Sequence, residues 1–137
     1  MKKKVLGFLL LLLIGLTLIG CNTRVTASAN GSIVFELHNG QEVISTKEVD
    51  FYTGDSLLSL LQANFDVVCA DANNQPDSTC SYVGPYGVYL FAVGEVSIDP
   101  TKTEYIAFYI NGEYAMTGID STDVVDKTVY QFRYETY

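Results

Sequence analysis

Two alternating runs meet at one Asn-Gly pair near the start of the chain, and that pattern constrains the fold more than any other stretch. "SIVFELH", Ser32 to His38, places Ile33, Phe35 and Leu37 on one face. After Asn39-Gly40, Val43, Val49 and Phe51 return at even spacing. Alternation is the period of a strand. Asn-Gly is the pair that tolerates the positive φ a type I′ turn needs at both central residues. The stretch therefore predicts an antiparallel hairpin centred on Asn39-Gly40.

Thr53-Gly54-Asp55 breaks the second strand, and "SLLSLLQANF" takes over. Leu57, Leu58, Leu61 and Phe65 recur at helical spacing, Leu60 widens the stripe, and Asp55 is placed to cap it. This predicts one amphipathic helix of about ten residues lying across a sheet. Further on, Gly84, Pro85 and Gly87 punctuate the chain, and Val88 to Val93 is apolar on both faces, as in a strand with a covered side. Tyr105 to Ile110 reads as a strand, Asn111-Gly112 as its turn and Glu113 to Met116 as the return. Thr128 to Tyr134 closes the series with Tyr130, Phe132 and Tyr134 on one face. Hairpin, helix, then mostly antiparallel strands predict an α+β, β-grasp-like layout: a mixed, mostly antiparallel sheet of about five strands with one short packed helix.

The first residues point to a location. Met1-Lys2-Lys3-Lys4 is a basic head, and Val5 to Ile19 runs without a charge. That run is shorter than the roughly 20 apolar residues a spanning helix needs and suits a secretory signal. Leu18-Ile19-Gly20-Cys21 resembles the lipobox of bacterial lipoproteins. By that resemblance residues 1–20 are a signal peptide and Cys21 takes a diacylglycerol; the alternatives are a plain secreted protein and an uncleaved anchor. The stretch 21–32, small and polar after Cys21, reads as a tether, and 33–137 as the single domain. Two or three acyl chains would hold the domain durably at the cell membrane on its extracytoplasmic side.

Loss of the signal removes three lysines, so five basic residues face sixteen acidic ones and the net charge falls from −8 to −11. Such a surface repels phosphate backbones, which argues against a nucleic-acid partner, and it repels anionic lipid headgroups, which suits a tethered domain. With Cys21 assigned to lipid, Cys69 and Cys80 remain as an even pair outside the membrane, where disulfides persist; two reduced, buried cysteines are the alternative.

Catalytic signatures are missing from the sequence. No G-x-S-x-G, Walker loop or G-x-G-x-x-G occurs, and the paired carboxylates read as a solvated face among sixteen acids. We expect a non-enzyme without a catalytic residue or cofactor. The lone His38 has no companion at ligand spacing and reads as a solvated turn residue rather than a metal ligand. Asp71 and Asn73 hint at a calcium loop, but Pro76 stands in the glycine position and Tyr82 where the closing Glu belongs. The unusual feature is aromatic: ten tyrosines and seven phenylalanines without a tryptophan, nine of the tyrosines lying from Tyr82 onward. Tyrosine fits half-buried strands, and it also offers large apolar area with a hydroxyl at low entropic cost.

"VDFYTGDSLLSLLQ" (Val49 to Gln62), "YIAFYINGEYAMTGID" (Tyr105 to Asp120) and "VYQFRYE" (Val129 to Glu135) together resemble the DUF4430 family, itself similar to the C-terminal domain of transcobalamin and intrinsic factor. Gly54-Asp55 leading into Leu57-Leu58, Asn111-Gly112-Glu113-Tyr114-Ala115 and Phe132-Arg133-Tyr134 carry the match. The chain departs from the pattern at Asp126-Lys127, at the missing tryptophan near Tyr105, and in the insert between Cys69 and Cys80. The resemblance implies a non-catalytic module that binds a small molecule such as cobalamin or another corrinoid. The competing class is a cell-surface protein–protein or adhesive module. Tyr86, Tyr89, Tyr109, Asn111 and Tyr114 are the candidate ligand-binding residues.

Overall fold

The computed structural model describes residues 27–137; Cys21, the signal segment and the first part of the tether lie outside them. The hairpin forms from β1 (Gly31–Asn39) and β2 (Glu42–Phe51). Its turn is displaced by one residue from the sequence expectation. Asn39 pairs with Glu42, so the central residues are Gly40 and Gln41, and of these only Gly40 has positive φ, at 63°. Positive φ at the first central position alone is a type II′ requirement, which glycine meets without a second special residue. A bulge between Leu37 and His38 then shifts the register, so that Leu37 faces Ser45 and His38 faces Val43. That shift sends Val43 to the surface, 48% exposed, while Ile44 packs on the core and Val49 stays buried.

The helix α1 spans Leu57–Asn64 and buries Leu57, Leu60 and Leu61. Its cap is Ser56 and not Asp55: the Ser56 hydroxyl accepts from the Ser59 backbone N–H, and the Ser59 hydroxyl accepts from that of Ser56. The Asp55 carboxylate instead accepts from the Tyr52 N–H at 2.8 Å, closing the turn before the helix. Then follow β3 (Val67–Ala70), β4 (Pro76–Asp77), β5 (Leu90–Val93), β6 (Val96–Ser97), β7 (Glu104–Ile110), β8 (Glu113–Tyr114) and β9 (Val129–Thr136).

The expected mixed sheet is present, in the order β2-β1-β9-β7-β8. Its parallel pair is β1 with β9, Val34 opposite Val129 through Asn39 opposite Tyr134. The sequence reading did not separate out a second, four-stranded antiparallel sheet, β4-β3-β5-β6. One apolar cluster joins the layers: Ile33, Phe35 and Leu37 of β1, Tyr130 and Phe132 of β9, the α1 leucines, and Val67, Leu90 and Val93 of the small sheet. Phe108 stacks on Phe132 with ring centroids 5.3 Å apart. The Tyr130 hydroxyl, buried in this cluster, donates to the Asp123 carbonyl and accepts from the Val125 N–H, so it costs no unpaired polar group. Cys69 and Cys80 form a disulfide, Cα atoms 5.1 Å apart, which ties β3 to the end of its loop.

Candidate functional site

A groove of about 410 Å³ opens where the edge of β7 faces the segment before β5. Its floor is apolar, with Val88, Leu90, Ile106, Phe108 and Ile119, and Tyr86, Tyr89, Tyr105, Tyr114 and Met116 stand around its mouth. None of the residues lining it is charged. Tyr86 and Met116 are almost fully exposed, at 96% and 93%, and so offer area that a bound molecule would cover.

One wall is held by a close approach of two glycines. Gly87, at φ 97°, pairs its backbone with Gly84 at 3.1 Å in both directions. A Cβ on Gly87 would come within 2.7 Å of Asp120 Oδ1, and one on Gly118 within 2.6 Å of the same atom. The space is taken because Asp120 Oδ1 accepts from the Val88 N–H at 2.8 Å, fixing the floor to the Gly118 turn. The loop between the cysteines satisfies its own acids: Asp71 Oδ1 accepts from the Asn73 and Gln75 N–H groups, and Asp77 accepts from Thr79. Among the described residues there is no cluster of three metal-ligating side chains.

The five predicted residues divide into two groups. Tyr86, Tyr89 and Tyr114 line the groove. Tyr109 lies behind it: the guanidinium carbon of Arg133 sits 4.0 Å from its ring centroid, and its ring meets Tyr114 edge-on at 5.5 Å. Asn111 borders an adjoining depression with Glu113 and Tyr114. Its side chain, however, is engaged in the turn, Oδ1 accepting from the Val129 N–H at 2.9 Å. Asn111 and Gly112 have φ of 50° and 83°, so this second Asn-Gly is a turn with both central residues at positive φ. Sequence reasoning missed Tyr105, Met116 and the floor residues. Alternation along "EYIAFYI" could have placed Tyr105 beside Tyr109, but no local signal tells that the edge of β7 borders a cavity.

Tyr105 and Tyr109 both donate to one carboxylate, Glu135, at 2.8 and 2.6 Å. That bond pushes the Tyr105 phenol up to about 12 and raises Tyr109, with burial adding to both. Tyr89 is raised chiefly by burial. The chain of contacts runs on across the sheet: Arg133 Nη2 donates to Gln131, and Gln131 Nε2 donates to Glu36 Oε2 at 2.7 Å. His38 Nε2 lies 3.0 Å from the same oxygen, so His38 is a buried partner of Glu36 and not the solvated turn residue expected. The Gln131 hydrogen bond is the main reason the Glu36 carboxyl falls below its ordinary value.

The protein is a small α+β scaffold with an uncharged, tyrosine-rimmed groove. Residues 54–136 match the family described as Domain of unknown function (DUF4430), and the chain belongs to it. No curated protein matches the chain significantly in sequence. Among solved structures it is similar to a proposed metal-binding protein from Ruminococcus gnavus ATCC 29149, with a TM-score of 0.57 and 19% identity over 78% of this chain and 98% of that one. It is also similar to haptocorrin in complex with Cbi, with a TM-score of 0.56 and 15% identity over 78% of this chain. Only 25% of the haptocorrin chain is spanned. At these identities the likeness is one of fold.

Proposed function

We propose that this protein is a membrane-anchored extracytoplasmic lipoprotein whose domain binds a small ligand without transforming it, and that the ligand is a corrinoid. The observation that carries the binding reading is the groove itself. Aromatic rings surround an apolar floor without a charged side chain, which suits a planar, partly apolar molecule. The haptocorrin likeness, a fold shared with part of a corrinoid-bound protein, directs the choice of ligand. The anchoring part of the proposal rests on the sequence around Cys21, and among the described residues no helix is long and apolar enough to cross a membrane.

Equilibrium titration of the purified protein with cobalamin and with its truncated precursor cobinamide tests the ligand. Saturable micromolar binding of either supports the proposal. No binding of either to folded protein defeats the corrinoid assignment.

A further inference from the structure

The groove has a polar component that the tyrosines partly cover, the unpaired edge of β7, where Ile106 is 9% exposed and borders the cavity. Ala115 N–H donates to the Phe108 carbonyl, whereas Asn111 N–H donates to Val129 and Tyr137 N–H to the Thr103 carbonyl. Backbone groups of even-numbered residues in β7 therefore point toward β8, and those of odd-numbered residues toward β9. But β8 pairs only opposite Tyr109 and Ile110. Past Ala115 the chain leaves the sheet and runs along the groove to Gly118. The N–H and C=O of Ile106 are thus turned into the groove, and among the described residues neither has a hydrogen-bond partner. The Glu104 carbonyl has only the Tyr89 hydroxyl, at 3.5 Å. Unpaired strand edges are ordinarily blunted by proline, lysine or a covering element. The stretch "EYIAF", Glu104 to Phe108, carries neither residue.

We infer that this edge takes an extended segment of a partner protein as an added strand, apolar where it crosses the groove and basic at its flanks. Alternating backbone donors and acceptors beside alternating side-chain pockets is the arrangement an added strand recognises. Charge selects the flanks. The groove lining is uncharged, Glu113 stands in the depression at one end, Glu104, whose carboxylate also accepts from the Asp99 N–H at 2.8 Å, stands in that at the other, and the whole chain carries −8. Lys102, also at the Glu104 end, is paired with Asp99 at 3.5 Å. From Glu104 to Phe108, at about 3.4 Å per residue, there is room for a segment of about four residues. This inference goes beyond the small-ligand reading and does not depend on it.

The probe is a synthetic peptide of alternating valine and threonine with a pair of lysines at each end, added to the purified protein. The readouts are binding by calorimetry and hydrogen exchange of the Ile106 and Phe108 amides. The expected result is saturable binding that slows Ile106 exchange about tenfold or more. A peptide N-methylated at alternate residues should bind at least about tenfold more weakly, having lost the edge hydrogen bonds. Glutamates in place of the lysines should weaken binding similarly. Absence of binding, equal binding of the N-methylated peptide, or binding without protection of Ile106 would each overturn the inference. So would protection by cobinamide and not by the peptide, or protection that grows with protein concentration alone, which would assign the edge to a small molecule or to a second copy.

Discussion

At the residue scale, Glu135 is the carboxylate that Tyr105 and Tyr109 share. It holds two phenols at once, and Tyr109 in turn supports Tyr114 at the groove. Because the folded protein keeps the Tyr105 phenol neutral up to about 12, the stabilisation is complete below the ordinary tyrosine value of about 10 and is lost as pH rises through 12. Ultraviolet titration of Glu135→Gln should show tyrosine ionisation moving down toward pH 10, while the parent keeps a late-titrating fraction. Superimposable curves would remove Glu135 from this role. Glu135 was not legible in the sequence as a site residue, since one acid among sixteen carries no mark of its partners. Tyr86, Tyr89 and Tyr114 were legible as a cluster. Tyr109 belongs to the same cluster in the sequence, and no local pattern shows that the Arg133 guanidinium stands over its ring.

At the element scale, the two Asn-Gly pairs show what local sequence can and cannot decide. Both mark hairpins, yet the first turns on Gly40-Gln41 and the second on Asn111-Gly112. The bulge at Leu37/His38 shifts the register of the first hairpin, and no pattern in "HNGQEVIS" announces it. In the second, Asn111 accepts from Val129, which fixes the β7–β8 turn to β9. Asn111→Ala should destabilise the fold by about 1–3 kcal/mol in denaturant unfolding, from the lost hydrogen bond and the alanine strain at positive φ. Asn111→Gly removes only the hydrogen bond and should cost about half as much. Equal costs would show that the turn angle does not matter there. The disulfide ties β3 to Cys80, a few residues before the stretch whose Tyr86, Val88, Tyr89 and Leu90 form one groove wall. The Cys69→Ser, Cys80→Ser double variant should lose about 2–4 kcal/mol in the same measurement. A loss near zero would mean that packing alone holds that wall.

At the scale of the whole molecule, the layout follows from burial. The hairpin leaves Ile33, Phe35 and Leu37 uncovered, and the α1 leucines, the small sheet and β9 complete one core over them. The large sheet and its helix could be read from alternation and helical spacing. The small sheet could not, because β4 and β6 are two residues each and carry no period. The groove lies between the edge of β7 and the segment leading to β5, stretches legible as strands whose side-by-side placement no local pattern gives. Cells fed a labelled fatty acid should incorporate it into the wild type and not into Cys21→Ala, and equal labelling of the two would refute lipidation at Cys21.

Calorimetric titration of cobinamide into the wild type, Tyr114→Ala and Tyr52→Ala tests whether the groove is the ligand site. Tyr114 lines the groove, whereas Tyr52 is exposed beyond β2 and outside it. Loss of one stacked ring at a largely apolar site should weaken binding about tenfold in Tyr114→Ala and leave Tyr52→Ala unchanged. Equal affinity of Tyr114→Ala and wild type, with both proteins folded, would contradict the assignment of the groove as the ligand site.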